Sequence, residues 1–418
     1  LPLRGGWPRG HSAIVMVLPA LQVPLLSFVS PLLLIPAIAA ACLFWSRRVE
    51  HQRQLLLTSA ACAAVAAEPR RTIKRAAVLV NPHAGSGNGL RMYEGVVEPM
   101  LIAARVEFEL HYTAGAGHAR QICADLAKRM LTEAPFDVVI SVSGDGMLHE
   151  CLNGLLDGSA DRSCPCSLAI VPAGSGNGVA TSLYGRGHDA VHAMRRILLA
   201  PARPIDVLAL RYLDEPASTP PTCDLHFACW ACFADHDFLC EGPLRPLGPL
   251  LKMALAPLIV IGRCRGYSGV CDFEPAPLPA ALSAAAAADY AAADELPPSP
   301  DVANMRRLEG PFWCWAVGNL SEGGGDTQPT PHAQPSDGAA DLLVVQHKPT
   351  LSRWRVLQLF LAMESGNHVK DAAVRCYKVR RVRLNSGGNG HLQLSGQDIP
   401  NKSATEIEVL RGVASMRY

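Results

Sequence analysis

The order of apolar and polar residues divides the chain into three regions that predict different structures. No charged residue occurs between Ala13 and Trp45. From about residue 76 to residue 199, short apolar runs alternate with helical patterns, and after Pro204 the apolar runs are short and separated by loops. The sequence therefore predicts a hydrophobic N-terminal segment and linker over residues 1–70, an α/β domain over 71–203 and a β-rich domain over 204–418.

The α/β region repeats the order strand, loop, helix along the chain. Its strands are predicted at 76–80, 106–112, 137–142 and 167–171, and its helices at 117–132, at 147–156 and from Val179 onward. Short apolar runs of this kind are typical of strands buried on both faces of a parallel sheet. We therefore expect a doubly wound sheet with helices on both faces.

The region after Pro204 predicts a second, largely antiparallel domain, because many short β-like runs follow one another with few helices between them. These runs are 205–212, 226–233, 269–273, 312–318, 341–346, 379–384, 391–394 and 407–411. Two strongly apolar helices are predicted at 247–261 and 352–363. A low-complexity insertion rich in Ala and Pro, at about 275–303, predicts a disordered surface segment.

The N-terminal region is apolar enough to contact a membrane. About 20 apolar residues can span a bilayer, and residues 25–45 meet that length. Several prolines argue against an unbroken helix there, namely Pro19, Pro24, Pro31 and Pro36. The alternatives are a targeting segment that is later removed and a hairpin that enters one leaflet. Membrane association of this segment is the prediction.

Composition and charge exclude some classes of function and leave others. With 418 residues the chain exceeds a typical single domain, and its formal net charge of +1 gives no reason to expect a nucleic-acid partner. Fourteen scattered Cys favour reduced thiols in a cytosolic compartment. Cys229 and Cys232 have the spacing of a zinc half-site, but no second pair matches them, so buried thiols are favoured and no metal ligand is assigned.

Three glycine-rich turns follow three of the predicted strands. They are residues 81–89, 143–146 and 172–178, and the middle turn carries Asp145 between two glycines. Backbone amides in such turns approach phosphates closely, and the following helix adds a favourable dipole. Because open α/β sheets bind ligands at the carboxyl ends of their strands, the pattern predicts a phosphate cradle around an acid, and hence a phosphotransferase. The turns lack the P-loop ending and the motifs of protein kinases.

These motifs together resemble the nucleotide-binding signatures of the diacylglycerol kinase catalytic superfamily. The matching stretches are Asn81-Pro82 with Gly85, Gly87 and Gly89, Ser143-Gly-Asp-Gly146 with Glu150, and Pro172-Ala-Gly-Ser-Gly-Asn177. Thr113, followed by His118 and Ala119, resembles the region that contacts the sugar and base. Two later stretches, 233–248 and 359–368, are similar to sphingosine kinases in particular.

The resemblance implies a role for each matching residue. Asp145 would act as the base toward the primary hydroxyl of a sphingoid base. Asp237 would bind the amino and hydroxyl head of the lipid. The hydrocarbon chain of the lipid would contact Phe360, Met363 and His368. The nucleotide would be bound by Asn81, Gly85, Gly87, Thr113, Ser143, Gly144, Gly146, Glu150, Gly174, Ser175, Gly176, Asn177 and Arg245. The implied cofactors are ATP and Mg²⁺, and the second domain would be a lipid-binding β-sandwich.

The implied function is an ATP-dependent lipid kinase that phosphorylates the primary hydroxyl of sphingosine or a related sphingoid base. A ceramide or diacylglycerol kinase is the alternative within the same class. A membrane-bound pseudokinase that binds lipid and nucleotide is the alternative outside it. The expected partners are a sphingoid base lipid and a membrane surface, a homodimer is left open, and the kinase domain would lie on the cytosolic side.

The chain departs from the family pattern at two places. His83 stands where an Arg commonly follows Asn-Pro, and Ser395-Gly396-Gln397 replaces an Asp-Gly-Glu. The second departure removes two carboxylates that would bear on magnesium and on the Asp145 turn. Because neutral side chains stabilise a divalent cation less than carboxylates do, reduced activity or weak magnesium affinity is expected.

Overall fold

The structure is a computed structural model that describes residues 31–68, 72–85, 87–324, 327–402 and 404–418. The described residues up to Leu56 form one compact unit, and Leu57–Tyr418 form another. The described helices are α1 (Pro31–Ala67), α2 (Gly89–Met92), α3 (Glu98–Ala103), α4 (His118–Arg129), α5 (Asp145–Gly158), α6 (Gly178–Tyr184), α7 (Ala190–Leu199), α8 (Cys232–Glu241), α9 (Pro249–Arg263), α10 (Ala284–Ala287) and α11 (Arg353–Ala362). The described strands are β1 (Arg75–Val80), β2 (Glu107–Tyr112), β3 (Val138–Ser143), β4 (Ser167–Pro172), β5 (Ala202–Tyr212), β6 (Thr222–Asp224), β7 (Phe227–Ala231), β8 (Val270–Pro275), β9 (Arg306–Glu309), β10 (Phe312–Gly318), β11 (Ala340–Gln346), β12 (Val374–Asn385), β13 (Leu392–Leu394), β14 (Gln397–Ile399) and β15 (Ala404–Arg417).

The first four strands form a parallel sheet in the order β2, β1, β3, β4. Almost every residue of β1, β3 and β4 is buried, as their apolar sequences predict. One hydrophobic cluster packs α4, α5 and α6 on one face, and a second packs α3, α7 and the end of α1 on the other. The predicted doubly wound α/β sheet is therefore confirmed.

The second domain is built on antiparallel strands, as predicted. β7, β10, β11 and β12 pair in that order, and β13 with β14 extends the sheet beyond β7. One cluster of buried side chains, which includes Trp230 and Trp315, packs on one side of these strands. A second cluster packs α8, α9 and α11 against the other side.

The strand β15 joins the two domains. It pairs antiparallel with β5 on both sides of an irregularity, and its Met416 pairs in parallel with Leu168 of β4. The buried side chain of Arg417 donates hydrogen bonds to the carbonyl oxygens of Ala200 (2.9 Å) and Thr72 (3.2 Å). Because β15 also pairs with β12, the parallel sheet continues through it into the antiparallel one.

The Ala- and Pro-rich insertion at 275–303 differs from the disordered segment that its composition predicts. It contains α10, and its residues are bonded to the second domain. Tyr290 donates a hydrogen bond to Asp341 (2.7 Å), and the N–H of Ala291 donates to the carbonyl oxygen of Cys376 (2.8 Å). The prediction of disorder is wrong because a few anchoring groups, which composition does not reveal, attach the segment to buried strands.

The prediction for the N-terminal segment lies partly outside the described residues, because α1 begins at Pro31 and residues 25–30 precede it. Within the part of the chain that the structure describes, no helix combines the length and the apolar character needed to cross a membrane. α1 continues to Ala67, and Ala61 and Val65 near its end are buried in the cluster below the parallel sheet.

Candidate active site

Three loops meet at the carboxyl ends of β1, β3 and β4. Loop 1 is residues 81–89, loop 2 is 143–146 and loop 3 is 172–178. A Cβ added at Gly174 would lie 2.5 Å from the Cα of Gly144, and one added at Gly85 would lie 2.7 Å from the carbonyl oxygen of Ala173. Only glycine permits these approaches, so the loops contact one another through backbone atoms. Backbone amides brought this close can bind the oxygens of a phosphate chain.

Asp145, the first residue of α5, is half-buried between loops 2 and 3. Its Oδ2 accepts a hydrogen bond from the N–H of Gly178 (2.8 Å), and its Oδ1 accepts one from the N–H of Val179 (3.0 Å). These donors begin α6, so Asp145 caps that helix from the neighbouring loop. An ionised carboxylate has about four acceptor positions, so about two remain for a substrate hydroxyl.

Glu150 caps a different neighbouring helix. Its two carboxylate oxygens accept hydrogen bonds from the N–H groups of Gly117 (2.8 Å) and Ala119 (3.2 Å), at the start of α4. Thr113, which follows β2, is buried, and its hydroxyl lies 3.5 Å from the carbonyl oxygen of Val80. Glu150 therefore acts on the site by fixing α4.

The other predicted nucleotide-binding residues of the loops divide into exposed and inward-facing ones. Asn81 accepts a hydrogen bond from the backbone N–H two residues later (2.9 Å), and Asn177 bonds the backbone N–H and carbonyl of a loop 3 glycine (2.9 Å each). Ser143 is fully buried, and its hydroxyl bonds another serine hydroxyl of β3 (2.6 Å). The exposed residues are Gly85, Gly87, Ser175 and Gly176.

A tight turn from the second domain contacts loop 2. Ser395 (φ 46°) and Gly396 (φ 73°) join β13 to β14, and Nε2 of Gln397 donates a hydrogen bond to the carbonyl oxygen of Gly146 (3.2 Å). The hydroxyl of Ser395 lies 2.8 and 2.7 Å from the two carboxylate oxygens of Asp224. The departure from the family motif therefore lies directly against the Asp145 turn.

Asp224 is a buried anion behind loop 2 that the sequence did not single out. Only 1% of its surface is exposed, and Nδ1 of His149 lies 3.5 Å from its Oδ1. Burial alone would raise the pKa of Asp224, but His149, His226 and the Ser395 hydroxyl together hold that pKa below its ordinary value. No motif signals Asp224, because its partners come from α5 and from the β13–β14 turn.

Asp237, the acid predicted to bind the lipid head, already has a charged partner. Its side chain is 42% exposed, and its Oδ1 lies 3.2 Å from Nδ1 of His236. Burial by itself would lower the pKa of His236, but hydrogen bonds with Asp237 and Cys240 raise it to about 9. The imidazolium of His236 therefore offsets the charge of Asp237 at neutral pH.

A cavity of about 530 Å³ lies between α8, the end of α9 and the loop before β13. Asp235 lines it: one carboxylate oxygen accepts a hydrogen bond from the Tyr267 hydroxyl, and Oδ1 is buried without a hydrogen-bond partner among the described residues. Burial, and Asp235 beside it, raise the pKa of Tyr267 well above its ordinary value. Apolar walls come from Phe238, Leu239 and Val260. Arg263 and Arg265 also line the cavity, so its lining is about half polar, and Asp235 is the one acid among the described residues that line it.

The predicted lipid-chain residues lie on α11 and just after it. Phe360 packs on an aromatic ring of α8, with centroids 5.4 Å apart, and Met363 is buried in the same cluster. His368 is buried, and Nε2 lies 3.0 Å from a carbonyl oxygen; burial lowers its pKa to about 4, so it is neutral. Arg245 is exposed in a 3₁₀ turn between α8 and α9, on the second domain.

Across the described ranges, no three His, Cys, Asp or Glu side chains are placed to hold a metal ion together. Cys229 and Cys232 are both buried, and β7 ends between them, two residues before the predicted strand end. Protein carboxylates usually hold Mg²⁺ together with substrate phosphates, whereas Ser395 and Gln397 are neutral. The described residues therefore do not form a Mg²⁺ site of their own.

Two protein families match the chain. The diacylglycerol kinase catalytic domain matches residues 75–210, and the YegS C-terminal NAD kinase β-sandwich-like domain matches residues 302–406. Sphingosine kinase 1 of Arabidopsis thaliana is 28% identical over 331 residues, which cover 75% of this chain and 64% of that protein. Sphingosine kinase 1 of Homo sapiens is 28% identical over 324 residues, which cover 71% of this chain and 78% of that protein.

A solved structure has the same fold. The crystal structure of a diacylglycerol kinase from Bacillus anthracis str. Sterne has a TM-score of 0.54 and 18% identity, and the match covers 84% of this chain and 98% of that one. The chain spans less than two thirds of the Arabidopsis relative, 64% of its length. The catalytic family match contains all three loops, and the β-sandwich match contains the turn at 395–397. The chain therefore contains an α/β catalytic domain similar to that of diacylglycerol kinases, followed by a β-sandwich domain.

Proposed function

We propose that the chain is an ATP-dependent kinase that phosphorylates the primary hydroxyl of sphingosine or a related sphingoid base. The observation that carries the proposal is the meeting of three glycine loops around Asp145. Phosphoryl transfer needs bound phosphates and an acceptor for the hydroxyl proton in one place. The relatives named sphingosine kinases support a lipid as the acceptor.

The chain's own residues would act on this reaction in two ways. Backbone amides of the loops bind phosphate oxygens and offset their charge. Asp145, held in place by α6, accepts the hydrogen bond of the substrate hydroxyl and takes its proton as the oxygen attacks the γ-phosphorus in line. The bond from the γ-phosphorus to the β–γ bridging oxygen breaks, and ADP leaves. Mg²⁺ enters as part of the MgATP substrate.

Asp235, rather than Asp237, is the acid we assign to the lipid head. Asp235 lines the cavity, whereas Asp237 does not line it and is paired with His236. An ammonium group bound in the cavity would gain the counter-charge of Asp235, and neutral diacylglycerol and ceramide carry no such group. The apolar walls of the same cavity suit the start of a hydrocarbon chain.

Two aspartate variants test this assignment. Asp235→Asn should raise KM for sphingosine by at least about tenfold, because a buried ammonium would lose its counter-charge, and should change KM for ATP little. Asp237→Asn is the matched control on the same helix and should have a smaller effect. The opposite ranking would return the head-binding role to Asp237.

A membrane surface is the proposed partner of the second domain. Leu251 and Leu258 on α9, and Trp354 and Leu361 on α11, are 49% to 66% exposed. Each pair is seven residues apart, which places both side chains on one face of the helix. Exposed apolar faces of this kind favour docking on a bilayer, which also holds the substrate. The kinase domain would then lie on the cytosolic side of that membrane.

Phosphate transfer from labelled ATP to sphingosine, ceramide and diacylglycerol, compared side by side, tests the proposed function. Sphingosine should be the preferred acceptor because it alone is cationic. Preference for ceramide or diacylglycerol would identify the alternative lipid kinase. ATP binding without transfer to any of the three would identify the pseudokinase, for which the neutral Ser395 and Gln397 are the motivation.

A further inference from the structure

Asp224 accepts hydrogen bonds from two parts of the chain and lies beside a histidine of a third. The backbone N–H groups of Leu225 (2.8 Å) and Phe227 (3.3 Å) donate to its two oxygens, and the Ser395 hydroxyl lies within 2.8 Å of both. His149 Nδ1 is 3.5 Å away. A carboxylate that is 1% exposed and satisfied in this way is stable as an anion.

The hydrogen bonds of Asn153 join β6 to α5 beside this anion. Asn153 Oδ1 accepts from the N–H of Cys223 (2.9 Å) and its Nδ2 donates to the carbonyl oxygen of Cys223 (2.7 Å), so the amide orientation is set. The same Nδ2 donates its other hydrogen to the carbonyl oxygen of His149 (2.8 Å), so Asn153 connects Cys223 of β6 to the backbone of α5. His149 lies one turn after Asp145 on α5.

The surroundings of the Ser395 side chain accommodate one carboxylate, and the carboxylate of Asp224 already lies there. An Asp at position 395 would suit the turn, whose two residues have positive φ, but it would place a second carboxylate where a hydroxyl now donates to Asp224. Two carboxylates in one buried site repel each other. A Glu at position 397 would likewise lose the donor that Gln397 gives to the carbonyl oxygen of Gly146. The family pattern at 395–397 therefore does not fit beside Asp224.

We propose that Asp224 is a positioning residue of the kinase site: it supplies, from β6, the carboxylate that the family motif places at position 395. It holds the first turn of α5, which carries Asp145, through its contact with the His149 ring and through the Cys223–Asn153 hydrogen bonds beside it. The proposal rests on the proposed kinase function. In this proposal Ser395 is the hydrogen-bond donor that complements the Asp224 carboxylate, and its neutral side chain is not a loss of function.

A reciprocal exchange tests the proposal in the full chain. The variants are Asp224→Ser, Ser395→Asp, the double variant Asp224→Ser/Ser395→Asp, and Ser395→Asn as a control of equal size without charge. Ser395→Asp should lower kcat for sphingosine phosphorylation at least about tenfold and KM for ATP should change less, because the repulsion acts on α5. The kcat of the double variant should be about tenfold higher than that of Ser395→Asp. Ser395→Asp alone should regain kcat as the pH is lowered, because protonation of one carboxylate removes the repulsion.

Two results would overturn the proposal: a double variant no better than Ser395→Asp, or a Ser395→Asn variant that loses as much kcat as Ser395→Asp. Melting temperature and affinity for a fluorescent ATP analogue, measured on the same variants, need no lipid acceptor. A wild-type chain that phosphorylates none of the lipids would refute the proposed function. The same exchange pattern in melting and ATP affinity would still support the pairing of Asp224 with Ser395, and its absence there would overturn it.

Discussion

Asp145→Asn should lose both a helix cap and the proposed base. The amide has one oxygen, which can accept a hydrogen bond from the N–H of either Gly178 or Val179. Its NH₂ group then faces the other of these two N–H groups. One charge-assisted hydrogen bond is lost, so we expect the free energy of unfolding to fall by about 2 kcal/mol. Loss of a general base should lower the rate of phosphoryl transfer by a further factor of about 10² to 10⁴.

Glu150→Gln is the matched control, because Glu150 lies on the same helix and also bonds two backbone N–H groups of a neighbouring helix. Urea denaturation should show a similar loss of unfolding free energy in both variants. Single-turnover transfer at saturating MgATP should fall at least about 100-fold in Asp145→Asn and much less in Glu150→Gln. Equal losses would mean that Asp145 acts only through α6, and near wild-type transfer by Asp145→Asn would refute its role as base.

Three other predictions follow from the described contacts. Gly174→Ala should weaken binding of a fluorescent ATP analogue at least about tenfold by forcing loops 2 and 3 apart, whereas Gly95→Ala, where nothing lies within 4 Å of the added Cβ, should bind like wild type. The pKa of His368 is about 4 in the folded protein and 6.5 ordinarily, so its contribution to the free energy of unfolding should be full above pH 6.5 and fall by up to about 3 kcal/mol toward pH 4. Denaturation of His368→Gln, measured over the same pH range, should lack this fall in the free energy of unfolding. Leu258→Glu should reduce sedimentation with anionic liposomes, while Leu131→Glu, at a more exposed position of the first domain, should not. Equal reductions would argue against docking by α9.

The sequence was sufficient for the features that are local along the chain. Each glycine loop directly follows its own buried strand, so strand pattern and turn residues together predict where phosphates would bind. The capping contacts of Asp145 and Glu150 were not predictable, because their partners start helices elsewhere in the sequence. Asp224 was missed for the same reason, since a side chain from the β13–β14 turn completes its surroundings.

The choice between Asp235 and Asp237 shows a different limit. The alternating pattern predicts a strand that continues to residue 233, but the strand ends at Ala231, where φ is +66°, and α8 begins at Cys232. The position of that boundary sets the rotation of the helix, and so decides which acid faces the cavity. Sequence reasoning could identify the pair of acids, but not which of them lines the cavity.

The pairing of β15 with β4 and β5 has a consequence for the order of folding. During synthesis, β4 leaves the ribosome long before residues 404–417, so the edge of β4 that faces away from β3 stays unpaired until those residues have been made. Exposed strand edges invite pairing with other chains. A gene divided near residue 203 should therefore yield a kinase half that aggregates when translated alone and becomes soluble when the other half is translated with it.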